Sequence, residues 1–313
     1  MEAIVRKAAI FGAAGAIGQV LAPELDRRGI PFRAVGRSRA RLQQAFGGLT
    51  RAEIFDADLG DPRSAGAASC GIDTIFYCVG VPYPAFHLHP ALMRTTLEAA
   101  AAMQVQRLVL VSSVYSYGVP RTARVAESHP RVPGTRKGTW RREQEDLVLD
   151  ARKNGQLDGL VVRLPDFYGP FAENSLANPI LRAALDGKTA NWVGPMGAPH
   201  EFIFTPDAAP PIVDLALRPE CYGQAWNIGG AGEIPAVDFI TRAFRAVGRR
   251  PRYRSVGRGL LKIMGWFNPV VRELVEMLYL QETPVILDDS KLLATLRAVH
   301  KTPYDEGIRQ TLD

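Results

Sequence analysis

Short apolar stretches alternate with helical patterns over the first half of the chain. Runs rich in apolar and β-branched residues predict strands at 8–11, 32–35, 52–55, 74–79, 108–112 and 160–164. Between these runs, apolar residues at helical spacing predict helices at 17–28, 39–46, 85–103 and 141–153. Strands that alternate with helices are typical of βαβ units, in which helices cover both faces of a parallel sheet. The pattern therefore predicts an α/β fold, a doubly wound parallel sheet of the Rossmann type.

A glycine-rich turn joins the first predicted strand to the first predicted helix. In Gly12-Ala-Ala-Gly15-Ala-Ile-Gly18, Gly12 permits a tight turn and Gly15 lets the backbone approach a pyrophosphate. Gly18 allows the helix to pack closely on the strand, and amides at the helix N-terminus receive the anion. We therefore predict a dinucleotide cofactor here. The predicted pyrophosphate-binding residues are Gly12, Ala14, Gly15, Ala16, Ile17 and Gly18.

Arginines follow the second predicted strand, where an acidic residue would bind the ribose 2′-hydroxyl of NAD. The sequence at this point is Val-Gly-Arg37-Ser38-Arg39, and it offers no carboxylate. Two guanidinium groups can instead bind a 2′-phosphate. We therefore expect NADP rather than NAD as the cofactor, bound by Arg37, Ser38 and Arg39. The alternative is that either arginine faces solvent.

Later strand ends supply further candidate cofactor contacts. Asp58 follows the third strand and is placed to accept a hydrogen bond from the adenine amino group. Alternatively, Asp56 or Asp58 caps a helix that begins near Asp61. Small residues at the end of the fourth strand leave room for the adenosine ribose. The predicted contacts in these later segments are Asp58, Leu59, Cys78, Val79, Gly80, Ser112, Arg141, Leu164 and Pro165.

The regular alternation ends after about Gly169, where proline becomes frequent. We predict a dinucleotide-binding Rossmann domain at 1–170 and a smaller C-terminal substrate-binding region at 171–313, interleaved in one compact unit. Within that region, 259–280 predicts an amphipathic helix, interrupted at Pro269, that serves core or subunit packing. The basic run at 249–258 is typical of an exposed strand.

Composition narrows the class of protein. Apolar residues make up 47% of the chain and charged residues 22%, as in globular proteins. No stretch approaches the roughly 20 apolar residues that span a bilayer, so we expect a cytoplasmic protein and no membrane partner. The net charge is +6, but lysine and arginine are scattered, so no nucleic-acid partner is expected. Histidine and cysteine spacing predicts neither a metal site nor a disulfide, and we expect the cysteines to be reduced and buried.

Motifs along the chain resemble those of the extended short-chain dehydrogenase/reductases, in the NAD-dependent epimerase/dehydratase branch. They are the glycine turn at 12–18, Val-Ser-Ser-Val-Tyr-Ser-Tyr-Gly at 111–118, Arg-Leu-Pro-Asp-Phe-Tyr-Gly-Pro at 163–170, Glu-Phe-Ile-Phe-Thr-Pro-Asp at 201–207 and Trp-Asn-Ile-Gly-Gly at 226–230. The resemblance covers the length of the chain and implies an enzyme with a small-molecule substrate. It also implies homodimers formed through the helices at 85–103 and 141–153.

The family's catalytic serine is matched by Ser113, but its Tyr-x-x-x-Lys pair is not. Lys137 takes the tyrosine place and Arg141 the lysine place, and no tyrosine occurs between Tyr117 and Tyr168. Arg141 is then expected to hold the nicotinamide ribose. Lys137 is either an acid or base whose pKa is lowered by burial near a cation, or a solvated lysine at a helix start.

Other side chains near the strand ends can serve the same chemistry. Tyr115, Tyr117 and Tyr168 lie where open α/β sheets bind ligands, although Tyr117 and Tyr168 can instead pack against the loop. Asp166 is a substrate contact or a turn-forming residue beside proline. Ser113 binds a substrate oxygen or caps local backbone. The candidate catalytic residues are Ser113, Tyr115, Lys137 and Arg141.

Three functions are consistent with these residues. The first is an NAD(P)-dependent oxidoreductase or epimerase-like enzyme with atypical catalytic residues, acting on a small carbonyl or hydroxyl substrate. The second is a catalytically silent NADP-binding sensor. The third, nucleotide-sugar epimerisation or dehydration, is weakened most by the missing tyrosine. Fold alone does not choose among them.

We expect Gly15→Asp to abolish dinucleotide binding, because the new carboxylate places charge and bulk against the pyrophosphate. Fluorescence titration with NADPH and NADH measures the affinity, and far-UV circular dichroism checks that the variant is folded. A folded variant with unchanged affinity would show that the glycine turn has only a structural role.

Overall fold

The computed structural model describes residues 5–257, 259, 273 and 275–313. The strands are β1 (Ala8–Phe11), β2 (Phe32–Gly36), β3 (Ala52–Asp56), β4 (Thr74–Tyr77), β5 (Arg107–Ser113), β6 (Asp158–Leu164), β7 (Asp166–Tyr168), β8 (Ala190–Val193), β9 (Pro199–Phe204), β10 (Ala225–Asn227), β11 (Glu233–Pro235) and β12 (Tyr253–Val256). The longer helices are α1 (Ala16–Arg27), α2 (Arg39–Phe46), α3 (Pro62–Ser69), α4 (Leu88–Ala102), α5 (Arg136–Asp150), α6 (Asn178–Asp186), α7 (Thr205–Ala216) and α8 (Ala236–Ala246). Helical segments Tyr279–Glu282, Ser290–Thr295 and Tyr304–Leu312 follow.

A seven-stranded parallel sheet in the order β10-β6-β5-β4-β1-β2-β3 forms the centre of the molecule. Every residue of β1 and β4 is buried, as expected for parallel strands covered on both faces. Ala8 and Ile10 pack in the core with α1, α2 and α7. Ala9 and Phe11, which alternate with them, pack in the opposite core with α3, α4 and α5. The predicted doubly wound Rossmann fold is confirmed.

Smaller sheets form in the second half of the chain. One has the order β11-β9-β7, and β12 pairs with β8 in the other. Tyr168, Phe202 and Phe239 contribute to their shared core. Strand β10 leaves this region and pairs in parallel with β6, so the C-terminal half supplies an edge strand of the central sheet.

Helix α5 begins five residues before the predicted start, at Arg136. The Thr135 side chain caps it by accepting a hydrogen bond from the Gly138 amide at 3.1 Å. Gly138 therefore lies inside the first turn of the helix. A Cβ atom there would lie 2.7 Å from the Tyr115 carbonyl oxygen, so this glycine lets α5 approach the end of β5 closely.

Other predicted features also change in the structure. Asp61 caps α3, whereas Asp58 accepts a hydrogen bond from the Gly60 amide, so capping by Asp56 or Asp58 is wrong. The cysteines are free, but only Cys221 is buried as predicted, since Cys70 is exposed and Cys78 is partly buried. The segment predicted as a helix at 259–280 lies mostly outside the described residues. Among the helices that the structure describes, none is long and apolar enough to cross a bilayer.

We expect Gly18→Ala to destabilise the fold by about 1–3 kcal/mol, because overpacking forces neighbouring backbone apart. The added Cβ would lie 2.4 Å from the Ala13 carbonyl oxygen. Gly66→Ala is the matched control, since the same change in α3 meets no atom within 4 Å. The control should be neutral or slightly stabilising. Urea unfolding of both variants measures the difference, and equal stabilities would contradict the tight packing of α1.

Candidate active site

The glycine turn brings the ends of β1 and β4 together. Gly12 has a φ angle of +81°, and a Cβ atom on it would lie 2.9 Å from the Cys78 carbonyl carbon and from Val79 Cα. The Gly15 amide donates to the Gly12 carbonyl at 3.0 Å, and Gly15 is the N-cap of α1. The turn thus places predicted residues from both strands at the N-terminus of α1, whose amides are free to receive an anion.

The arginines predicted to bind a 2′-phosphate differ in their surroundings. The Ser38 hydroxyl caps α2 by accepting a hydrogen bond from the Arg41 amide. Arg39 Nη1 lies 2.9 Å from Asp56 Oδ1 at the end of the neighbouring strand, and this exposed pair lowers the pKa of Asp56. Arg37 is exposed. Of the two guanidinium groups, that of Arg37 is therefore the better candidate for a phosphate.

A buried carboxylate organises the carboxyl ends of β5 and β6. Glu145, on α5, has no exposed surface, and its Oε2 accepts from Arg163 Nη2 at 2.8 Å and from Arg163 Nε at 3.0 Å. Its Oε1 accepts from Ser112 Oγ at 2.7 Å and Ser116 Oγ at 2.9 Å. Arg131 donates to Oε2 at 3.2 Å. These bonds fix α5 against both strands, and the Ser112 hydroxyl, predicted to contact cofactor, is used in the network.

The network extends to the edge of the sheet through Tyr117. This hydroxyl accepts from Arg163 Nη1 at 2.8 Å and donates to Asn227 Oδ1 on β10 at 2.8 Å. Tyr117 is fully buried, and Tyr168 packs against Phe204 at 5.5 Å between ring centroids. Both rings pack as the alternative expected, but the Tyr117 hydroxyl bonds side chains rather than backbone, and Tyr168 Oη has no partner among the described residues. Glu145 was not predicted as a site residue. An arginine in a predicted buried strand, as at Arg163, needs a buried carboxylate as its partner, and this requirement was the signal for Glu145.

Ser113 and Tyr115 lie at the carboxyl end of β5. Ser113 Oγ is buried and has no hydrogen-bond partner among the described residues. Tyr115 Oη lies 2.9 Å from Tyr83 Oη, and burial raises the pKa of the Tyr115 hydroxyl well above its ordinary value. Tyr115 is therefore a protonated hydroxyl at neutral pH, able to donate a hydrogen bond. A buried hydroxyl without a partner costs free energy, so Ser113 Oγ is a candidate to hydrogen-bond a ligand.

Arg141 places a cation among aromatic rings. Its guanidinium lies 5.8 Å from the Phe86 ring centroid, and Nη1 donates to Gln144 Oε1 at 2.7 Å. Its Nε is buried without a partner in the part of the chain that the structure describes. Burial lowers the pKa of Arg141, an effect that Tyr115 and Glu145 oppose, and the group stays charged at neutral pH. A free donor of this kind suits the hydroxyls of a ribose.

Lys137 is neither solvated nor directed at Arg141. Its Nζ is fully buried and forms ion pairs with Glu273 and, at 2.5 Å, with Glu276. Burial raises the pKa of Glu276, but hydrogen bonds from Lys137 outweigh this effect and lower it. The solvated alternative is thus wrong, and the ammonium is occupied by two carboxylates. Its role as acid or base stays a prediction.

Several site residues come from a segment that carries no motif. Tyr83 and Phe86 stack at 5.2 Å between ring centroids, and Phe86 packs edge-on against His89 at 4.8 Å. Burial lowers the pKa of His89 to about 2, so its ring is neutral. The aromatic residues clustered before α4 are the sequence feature from which this part of the site could have been predicted. Asp166, at the start of β7, completes this group, because its charge raises the pKa of both Tyr83 and Tyr115.

The fold and the glycine turn together define a Rossmann-type protein with a site at the carboxyl ends of the parallel strands. The model of the NAD dependent epimerase/dehydratase family matches residues 8–229. The chain belongs to this family.

Relatives and solved structures agree with this assignment. A dTDP-6-deoxy-L-talose 4-dehydrogenase (NAD(P)(+)) of Kitasatospora kifunensis is 27% identical over 236 residues, which are 67% of this chain and 73% of that protein. A putative UDP-arabinose 4-epimerase of Arabidopsis thaliana is 29% identical over 139 residues, 41% of this chain and 32% of the relative. The chain thus spans about a third of the length of the UDP-arabinose 4-epimerases it matches.

The solved structures share the fold over almost the whole chain. The UDP-glucuronic acid 4-epimerase of Bacillus cereus in complex with NAD has a TM-score of 0.82 at 17% identity, covering 98% of this chain and 95% of that one. The dTDP-glucose 4,6-dehydratase of Bacillus anthracis in complex with NAD has a TM-score of 0.80 at 16% identity, with the same coverage.

We expect Glu145→Gln to destabilise the protein by about 3–5 kcal/mol, because it leaves the buried Arg163 without its countercharge. Glu143→Gln is the matched control on the same helix, since Glu143 pairs with Arg94 at the surface. Its cost should stay within about 1 kcal/mol. Urea unfolding compares the two variants, and a similar cost for both would mean that the buried network does not fix α5.

Proposed function

We propose that this protein is a nicotinamide-dependent enzyme that interconverts a secondary hydroxyl and a carbonyl on a nucleotide-linked sugar, as an epimerase or dehydratase does. The observation that carries the proposal is the pair of buried, unpartnered donors, Ser113 Oγ and Arg141 Nε. Buried polar groups are almost always hydrogen-bonded in native proteins. Two of them, on β5 and on the neighbouring helix α5, favour a bound ligand over a purely structural role.

The residues present fit a nicotinamide dinucleotide. Amides at the start of α1 would receive the pyrophosphate, Arg141 would hold the nicotinamide ribose, and Ser113 would bind the reacting oxygen of the substrate. When bound, the nicotinamide ring supplies the acceptor or donor of a hydride. The protein's own task is to orient the substrate carbon, and Ser113 Oγ, fixed at the end of β5, is suited to it.

The substrate class is supported by the relatives rather than by a binding group in this chain. The matched proteins are named for dTDP- and UDP-linked sugars. The C-terminal half has its own core around β7 and β9 and flanks the site, as a substrate-binding region would.

A catalytically silent NAD(P)-binding protein is the second candidate, and the environment of Lys137 favours it. The position that the resemblance gives to a tyrosine here carries an ammonium held by two carboxylates. Such a group offers no free proton donor to a substrate. Turnover separates this candidate from the enzyme, because both bind the cofactor.

We expect the purified protein to bind NAD(H) or NADP(H) and to oxidise or reduce a member of a UDP- and dTDP-sugar panel. Cofactor fluorescence measures binding, and absorbance of the reduced nicotinamide together with product analysis measures turnover. Ser113→Ala should lower kcat about 10²–10³-fold, because one donor to the reacting oxygen is lost. Its cofactor affinity should stay within twofold. Binding without any turnover would favour the silent protein instead.

We propose that the protein prefers NADP and that Arg37 determines this preference. NAD is the alternative, because two solved structures with this fold were determined in complex with NAD. Arg37→Ala should weaken NADPH binding about tenfold or more, since a charge-assisted hydrogen bond contributes about 1.5–3 kcal/mol. NADH binding should not change. Arg39→Ala is the control, because Arg39 already pairs with Asp56. Equal affinities for NADPH in the wild type and Arg37→Ala would show that Arg37 does not bind the 2′-phosphate.

A further inference from the structure

Two tyrosine hydroxyls meet where the chain leaves β4 and β5. Tyr83 opens the helical turn between β4 and α4, and Tyr115 lies in the turn directly after β5, two residues beyond Ser113. Their Oη atoms are 2.9 Å apart, so one hydroxyl donates a hydrogen bond to the other. Because β4 and β5 are neighbours in the sheet, the pair lies at the strand ends where folds of this kind bind ligands.

Aromatic stacking and close backbone packing hold the pair in place. The Phe86 ring lies 5.2 Å from that of Tyr83 and 6.2 Å from that of Tyr115, and it is stacked on both. On the side of α5, a Cβ atom on Gly138 would lie 2.7 Å from the Tyr115 carbonyl oxygen. Neither hydroxyl has a second hydrogen-bonding partner among the described residues. One O–H of the pair is therefore free for a ligand.

The surroundings of the pair favour Tyr115 as the donor of this bond and Tyr83 as its acceptor. The Lys137 ammonium lies 5.9 Å from the Tyr83 ring centroid. Arg141 lies 5.8 Å from the ring of Phe86, the nearer stacking partner of Tyr83. Cations in these positions favour negative charge on the Tyr83 oxygen. Since Tyr115 uses its proton in the bond between the two hydroxyls, the O–H of Tyr83 is the free donor.

The charged and titratable groups around Tyr83 come from each element packed near it. They are Tyr115 after β5, His89 on α4, Lys137 and Arg141 on α5, Asp166 on β7, Glu273 and Glu276, which pair with Lys137, and Tyr279. Burial raises the pKa of Tyr83 most, and the hydrogen bond from Tyr115 lowers it. The Asp166 charge raises it and the Arg141 charge lowers it. The net shift is upward, so Tyr83 keeps its proton at neutral pH.

We propose that the Tyr83 hydroxyl, hydrogen-bonded by Tyr115, exchanges the proton of the reacting substrate oxygen, in place of a tyrosine on α5. This inference rests on the proposed function. In the reductive direction, the Tyr83 O–H bond breaks and its proton moves to the carbonyl oxygen, while a hydride from the nicotinamide cofactor adds to the carbonyl carbon. The electron pair of the broken bond stays on the Tyr83 oxygen, as a phenolate that Tyr115 stabilises.

The oxidative direction is the reverse of this step. The Tyr83 phenolate takes the proton of the substrate O–H group, and the hydrogen on the same carbon leaves as a hydride to the cofactor. Each direction thus restores the state of Tyr83 that the other consumes. Tyr115 is a positioning residue, because it acts on the reaction through the Tyr83 oxygen.

The first test needs neither cofactor nor turnover. Fluorine-19 NMR of the full chain labelled with 3-fluorotyrosine follows each hydroxyl, and Tyr83→Phe identifies the Tyr83 resonance by removing it. Tyr115→Phe should raise the pH midpoint of that resonance, because the Tyr83 phenolate loses a hydrogen-bond donor. Tyr222→Phe is the matched control, since the Tyr222 hydroxyl bonds the Ala216 carbonyl, and it should leave the midpoint unchanged. A midpoint that stays or falls in Tyr115→Phe overturns the proposal.

The second test is turnover. Tyr83→Phe should lower kcat about 100-fold or more with cofactor affinity within twofold, because it removes the proton donor and keeps the ring stacked on Phe86. Tyr115→Phe should lower kcat about tenfold, since one hydrogen bond to the phenolate is lost. Tyr222→Phe should match the wild type. Wild-type kcat in Tyr83→Phe, or a larger loss in Tyr115→Phe than in Tyr83→Phe, would refute the role of Tyr83.

The pH dependence of turnover gives a further readout. Oxidation needs the phenolate, so its kcat/KM should rise between about pH 6 and pH 9, below the raised pKa of Tyr83. Reduction needs the protonated hydroxyl and should be flat over that interval. Tyr83→Phe should abolish the rise, and a rise retained in this variant would contradict Tyr83 as the base.

The two proposals fail in different ways. If the wild type binds cofactor but converts no sugar, the proposed function fails, and the proton step fails with it even where the NMR titrations show the two hydroxyls coupled. If the wild type converts a sugar and Tyr83→Phe matches it in rate and pH profile, the proposed function stands and the role of Tyr83 alone is lost.

Discussion

The buried ion pair between Glu145 and Arg163 is the constraint on which the active site depends. It joins α5 to β6 in the interior, where two charges are tolerated only when their hydrogen bonds are satisfied. Ser112 on β5 and Ser116 just after it donate to the other oxygen of Glu145, and the Tyr117 hydroxyl accepts from Arg163. Because Lys137 and Arg141 also lie on α5, this ion pair fixes the positions of both side chains relative to the ends of the strands.

The chemistry of the site follows from how charge is distributed around that pair. Lys137 is neutralised by glutamates from the C-terminal half of the chain, whereas Arg141 keeps an unpaired Nε among aromatic rings. One cation is thus held by ion pairs within the protein, and the other keeps a buried donor without a partner among the described residues.

Local pattern was enough to predict the central sheet and the glycine turn. The observed bounds of β1 and α2 agree with the predicted ones. All four residues of β1 are apolar and buried on both faces of the sheet, and Ser38 caps α2 directly before its first residue. Gly18 could also be predicted, since the backbone that it approaches closely is that of Ala13, a few residues earlier in the same turn. Local order of this kind needs no knowledge of the tertiary contacts.

The polar contacts of the site could not be predicted in the same way, because they join distant segments. Ser112 and Glu145 are separated by 33 residues, and Tyr117 and Asn227 by 110. The pairing of Arg39 with Asp56 likewise depends on the register of adjacent strands. Sequence spacing identifies residues that could bind a ligand, but only the folded structure shows which of their side chains are already hydrogen-bonded or ion-paired within the protein.

The return of β10 to the central sheet makes the two halves of the chain inseparable. Without β10, strand β6 would become an open edge, and its free amides and carbonyls would offer a template for pairing with other chains. Asn227 would also be lost from the Tyr117 hydroxyl. The C-terminal half is therefore not an exchangeable module: a foreign half grafted onto residues 1–170 would have to supply both a strand that pairs with β6 and an acceptor for the Tyr117 hydroxyl.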